Sequence, residues 1–329
     1  MSFFKSLLEL VKPAPPPDPD VLKALDRVGV LVDPALPSAA GFSKTLTLPV
    51  RNALDYCRWI VDQIPGPYPI DRQSFSSDPL VHALFATADD IHHMLGKSPQ
   101  VREYLDAPGS LESDCFYALV AARQQSKKTL GVAMEGDMVR NDVPVEYLYF
   151  SDHVVIDAGS TPEACRNRIW EKAFDGLLRS FRTHLDDARA RRQELREGSA
   201  VERDQIAVLR GQGTVVEIDH HTRRLEELEK NLSDIVETLQ AEEIVAALAN
   251  FLMVPETAMQ IVPVTLKVDR TGIITPGGSD DSDADTLSFQ QFTGRDRRSY
   301  MVLIACIRRD DAAAAVSEMK DLQRRSLII

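Results

Sequence analysis

From Glu163 to Val254 the chain contains no proline, and the second half of that stretch carries an apolar heptad through Ile218, Leu225, Leu228, Leu232, Ile235, Leu239, Ala246 and Ala249. Every backbone N–H in it is free to join a helix, and the apolar seam needs a second helix to cover it. The first half supplies a partner. Thr161 stands before Pro162 as a capping side chain stands before a first helical turn, and Trp170, Phe174, Leu177, Phe181, Leu185 and Ala188 follow at spacings of three and four. The pattern predicts a first arm running toward Arg210, roughly 70 Å at 1.5 Å per residue, with a break or kink at Gly198. Gly211 and Gly213 make a natural tip, and a return arm runs from Thr214 to about Met253. The expected element is an antiparallel, coiled-coil-like hairpin over residues 163–254; the heptad does not decide between pairing within one chain and between two, and the glycine tip favours the first.

Strand patterns lie on both sides of this hairpin. Before it, Val143, Val145, Tyr147 and Tyr149 alternate, and Val154 to Ile156 form a short apolar run. After it come Val262, Val264, Leu266 and Val268, a turn at Asp269 to Gly272, a run from Leu287 to Phe292, and the continuous apolar stretch Tyr300 to Ile307. The last reads as a central strand covered on both faces, whereas Pro144 and Pro263 belong at a strand start or on an edge. Neither group suffices for a stable sheet alone, so the two are expected to pair into one. The hairpin then becomes an insertion whose ends lie together.

Upstream, the pattern is helical from about Thr47 to Gln125. Asp78-Pro79 and Ser98-Pro99 each place a capping side chain before a proline, Ser110 stands similarly before Leu111, and Pro65 to Asp78 reads as loop. The predicted fold class is therefore α+β, predominantly helical. Its parts are an apolar N-terminal segment and proline-rich spacer (1–20), a helical bundle (21–128), a small, mostly antiparallel α+β core (129–162 and 255–329), and the hairpin (163–254).

A net charge of −12 works against general attraction to nucleic acid or anionic lipid, which needs a basic face. Arginines at 189, 191, 192 and 196, and again at 295, 297, 298, 308 and 309, are interleaved with acids and read as salt-bridged faces. The four cysteines are too scattered for a zinc spacing or a secretory disulfide framework, which suggests core thiols in the cytoplasm. No apolar run approaches the roughly 20 residues needed to span a bilayer. Phe3, Phe4, Leu7 and Leu8, tethered by the proline-rich spacer that follows, are candidates for docking on a partner, a membrane surface or the body of the chain.

No motif specifies a reaction, and no cofactor is implied. Asp89 and His93, four apart on one helix face, are a metal candidate lacking the further ligands a site requires. Asp152 and His153, beside Ser151, have hydrolytic residue types, but neighbours in sequence do not converge as a triad does, and they read as a turn. Asp281, Asp283 and Asp285 alternate as in a calcium loop, yet Thr286 and Phe292 stand where glycine and glutamate belong. His221 and Glu242 fall at seam positions of the return arm, where polar residues fix register or, for histidine, respond to pH. These readings favour a non-catalytic protein-interaction, scaffold or regulatory role. Its partner, another protein or a second copy, is met through the arm and the tip at Gly211 and Gly213, and through the tethered N-terminal segment. One alternative is an enzyme with a cleft between bundle and sheet, using His153, Asp152, Glu135 and Asp137 as acid or base. Another is a membrane-surface adaptor anchored by residues 1–12.

Overall fold

The computed structural model describes residues 18–135, 138–212, 215–269, 271–274, 284–294 and 296–326. In chain order the elements are α1 (Pro19–Leu31), α2 (Phe42–Gln63), β1 (Tyr68–Pro69), α3 (Arg72–Ser77), α4 (Pro79–Leu84), α5 (Ala88–Lys97), α6 (Pro99–Asp106), β2 (Cys115–Glu135) and β3 (Met138–Gly159), then α7 (Pro162–Gln212), α8 (Val215–Thr238), α9 (Ala241–Met253), β4 (Gln260–Val268), β5 (Asp285–Thr293), β6 (Ser299–Arg308) and α10 (Arg309–Ser326). The class is α+β. The long helices α7 and α8 lie in the chain between two groups of strands that share one sheet.

Two compact units emerge. One joins residues 18–55 to Asp175–Val254, the other joins Tyr56–Phe174 to the chain from Pro255 onward. The helices α2 and α7 each contribute residues to both.

The sheet of the second unit has the order β3-β2-β6-β5-β4, antiparallel throughout, with β1 added parallel to β6. As the apolar run predicts, β6 is central and almost wholly buried. The prolines behave as expected too, since Pro144 and Pro263 lie on the two outermost strands, where a missing N–H costs least. These edges are then tied together. Leu148 N donates to Gly272 O and Ile274 N to Glu146 O, both at 2.8 Å, and Ile274 also bridges Val268 at the end of β4. One short segment thus bonds to both outer strands, covering Glu146–Leu148 of β3 and the Val268 end of β4. That core joins Phe116, Val120, Leu303 and Phe289 to Leu84, Leu95 and Val316 from the helices. Packing of α5 on α10 is close enough that a Cβ on Gly96 would come within 2.5 Å of the Ala315 carbonyl oxygen.

β2 begins at Cys115, well before the change to strand expected near Thr129. Over residues 115–123 it pairs with β6, and both of its faces are covered: Phe116, Ala118, Val120 and Ala122 on one side, Leu119 and Ala121 on the other. A strand buried on both faces shows no alternation, so its sequence does not differ from a helical apolar stretch. Beyond Arg123, β2 loses β6 and continues with β3 alone as a two-stranded ribbon. Within Pro65 to Asp78, read as loop, the chain forms β1 and the single turn-and-a-half of α3, which is closed by a reciprocal cap between Asp71 and Ser74.

The caps before Pro79, Pro99 and Pro162 act as their sequences imply, whereas Ser110 caps nothing: it lies inside a short 3-10 turn over Pro108–Glu112 and its hydroxyl donates to Leu105 O at 2.8 Å. Asp78 accepts from Leu80 N and Val81 N at 2.8 and 3.2 Å, Ser98 from Val101 N at 3.2 Å, and Thr161 from Ala164 N at 3.1 Å. From that last cap α7 runs unbroken for 51 residues. Gly198 does not break it, and Leu228 of α8 packs 3.5 Å from the position of its missing Cβ. The return arm does break, at Leu239 and Gln240, where the α-helical ladder closes in tighter turns. Beyond the break the buried set moves to Ile244, Val245, Leu248, Ala249 and Leu252, leaving Ala246 exposed, contrary to the heptad extrapolated through it. α9 therefore buries a different face from α8.

In the first unit, Arg27 of α1 pairs with Asp175, Asp33 pairs with Arg189, Asn52 donates to Leu252 O at 3.0 Å, and Phe181 packs on Phe251 at 5.6 Å between centroids. Among the described residues no helix is long and apolar enough to cross a membrane.

Candidate functional site

Burial along α7 repeats in steps of three and four: Leu185, Leu195, Ser199, Glu202 and Ile206 are buried, with Ala188, Arg192 and Leu209 half-buried between them. α8 answers with half-buried Ile218, His221, Leu225, Leu228, Leu232, Ile235 and Leu239. The helices run antiparallel, since Gly198 lies against Leu228 and, four residues further along α7, Glu202 meets His221, seven residues back along α8.

The most polar point of this seam is Glu202, only 9% exposed. One carboxylate oxygen meets His221 Nδ1 at 2.6 Å and the other meets Arg224 Nε at 2.9 Å. A buried acid on one helix thus engages two groups of the other, which penalises any slip of the pair. His221 lies on the seam. Glu242 lies off it, exposed in the first turn of α9. On the side of α7 turned away from the seam, Val201 and Val208 are seven residues apart and more than half exposed, and Val216 near the start of α8 is 83% exposed. Gly211 is exposed with nothing near it, and Gly213 lies outside the described residues.

A second constellation lies in the other unit, where β3 meets the start of α7. Asp157 is buried with φ of +59° at a bulge in β3, its N–H donates to Gln100 Oε1 at 2.6 Å, and its carboxylate pairs with Lys172. Arg168, one turn before Lys172, donates to Ala158 O. Together with Tyr104 and Glu103 these groups line a cleft of about 500 Å³. Burial pushes the Tyr104 hydroxyl up from its ordinary value, against the opposing pull of Arg168. The cleft is polar and of mixed charge, suited to holding a small polar molecule. It shows no nucleophile set beside a base.

The sequence candidates for chemistry are dispersed. His153 Nε2 contacts the Leu84 carbonyl at 2.6 Å and its ring stacks on Phe85, which is a packing role. Asp152 is exposed, with Arg123 at 3.8 Å and Ser151 at 3.4 Å. These residues are not the turn between strands that the sequence suggests, because β3 passes straight through them and Asp152, at φ +53°, forms a bulge. Glu135 is the last residue of β2, and Asp137 lies outside the described residues. Asp89 is engaged by Arg72 at 2.6 Å, His93 is exposed nearby, and no group of three or more metal-ligating side chains occurs among the described residues. Asp285 is exposed at the start of β5, while Asp281 and Asp283 lie outside the description, as do Phe3, Phe4, Leu7 and Leu8.

Glu202 was findable: tracing the seam of α7 through Leu195 and Ile206 puts Glu202 on it. Asp157 and Lys172 carry no such signal, since their pairing depends on a bulge. No protein-family model, curated protein or solved structure matches the chain.

Proposed function

We propose that this is a protein-interaction module of scaffold or regulatory type, with the α7–α8 hairpin as its docking arm, paired in coiled-coil fashion. The observation that supports this reading is the exposed valine ridge at the tip half of the hairpin. Val201 and Val208 repeat at one heptad on the outer face of a helix whose seam is already filled. Large side chains spaced this way on an outer face serve no packing within the hairpin and are the arrangement by which a further helix docks. The Glu202 cluster keeps the two helices in one register and so keeps the ridge in one shape.

The test is capture of partners with tagged full-length protein and with Val201→Asp/Val208→Asp, followed by identification and binding measurement with the purified partner. A near-stoichiometric partner whose affinity falls at least tenfold in the double variant supports the reading. Equal binding by both proteins moves the docking surface elsewhere.

A further inference from the structure

The four cysteines divide into two kinds. Cys57 and Cys165 are fully buried, whereas Cys115 and Cys306 are part-exposed and sit on adjacent strands. Antiparallel pairing sets Cys115 opposite Arg308 and Tyr117 opposite Cys306. Residues two apart on a strand share a face, so Cys115 is the diagonal neighbour of Cys306, with Tyr117 between them. The Cys115 thiol donates to the Tyr117 hydroxyl at 3.8 Å, Tyr117 lies directly opposite Cys306, and after burial Cys115 is the neighbour that most raises the Cys306 thiol, so the three groups share one corner of the sheet. Cys115 is the first residue of β2, so the backbone at this corner has the end of a ladder, not its middle, to move.

We propose that Cys115 and Cys306 form a reversible dithiol–disulfide pair joining β2 to β6, oxidised by a low-molecular-weight disulfide of the glutathione type. In the first step the Cys115 thiolate attacks one sulfur of oxidised glutathione, forming a mixed disulfide and releasing one glutathione thiolate. In the second, the Cys306 thiolate attacks the Cys115 sulfur, forming the internal disulfide and releasing the second glutathione. Two thiol protons and two electrons leave the protein, and both glutathione products carry them away. Burial pushes the Cys306 thiol up to about 11, which makes its thiolate scarce, so the second step depends on intramolecular proximity to Cys115. A diagonal pair must draw its strands together to bond, and strain of that kind makes a disulfide more readily reducible, as a reversible device needs. Because β2 precedes the hairpin in the chain and β6 follows it, the bond would tie the two halves of the sheet covalently across the insertion.

The test uses full-length native protein incubated with oxidised glutathione, quenched in acid, alkylated after denaturation and mapped by mass spectrometry. The expected result is loss of two alkylatable thiols and a mass lower by two hydrogens, with the Cys115 and Cys306 peptides cross-linked and released by dithiothreitol. Cys306→Ser should instead accumulate glutathione on Cys115, and that adduct should be transient in the parent protein. A parent protein that retains glutathione on Cys115 beside an alkylatable Cys306, or that leaves both thiols unreacted, overturns the proposal.

Discussion

Two aspartates of β3 show how much a single residue can decide. At Asp157 and again at Asp152 the backbone enters the left-handed region, and at each point two residues of β3 oppose one of β2. Aspartate tolerates this conformation better than most side chains, because a short polar group can bond locally. Nothing in the sequence marks these two among the many acids, since the need for a bulge arises from pairing with a strand elsewhere in the chain. The buried thiols are the residue-scale feature with the clearest thermodynamic consequence. Burial pushes both Cys57 and Cys165 up to about 12 from an ordinary value of 9.0, with Asp157 adding to the effect at Cys165. The folded state therefore holds these protons more tightly than the unfolded chain. Their contribution to stability is complete below about pH 9 and is lost as pH rises from there toward 12, with a limiting slope of about 1.4 kcal/mol per pH unit for each thiol. Urea midpoints from pH 8 to 11 should fall less steeply in Cys57→Ser/Cys165→Ser than in the parent, whatever the variant's starting stability. Parallel profiles would show that neither thiol reports on folding.

The elements themselves were unevenly legible. Helices announced by a cap and a proline formed where the sequence places them, because the signal and its cause lie within four residues of each other. The heptad located the hairpin for the same reason. What sequence could not show was the phase change at Leu239 and Gln240, where no proline or glycine intervenes, or the early start of β2, whose residues are covered on both faces. The polar cluster in the hairpin offers a test at this scale. Glu202→Ala leaves His221 and Arg224 facing an empty seam and should cost about 1–3 kcal/mol, read from urea unfolding. Glu202→Leu/His221→Leu replaces the cluster with apolar packing and should recover to within about 1 kcal/mol of the parent or exceed it. If Glu202→Ala is neutral, solvent screens the cluster and register is held by the apolar seam alone.

At the scale of the whole chain, one sheet is assembled from strands on either side of the hairpin, and each compact unit draws on two separate stretches of sequence. Such an arrangement is permitted only if the inserted segment brings its ends back together, and an antiparallel hairpin does so at every level along its length. The same property predicts that the hairpin can be shortened without harm to the rest. Gly198 and Leu228 touch, so removing residues 199–227 and closing the gap with a short glycine linker asks nothing of the helices below. The deletion takes out Glu202, His221, Val201, Val208 and Val216 while sparing the contacts of Arg27, Arg189 and Asn52 nearer the base. Long-range contacts in each unit then remain, and the shortened protein should melt cooperatively, within about 5 °C of the parent by the usual relation between small stability changes and melting temperature. Partner binding should be lost along with the ridge. A broad, non-cooperative melt would mean that the tip helps specify the fold, and the loss of binding would then have to be read from the valine substitutions alone. Retained binding with an intact melt would remove the ridge as the docking surface.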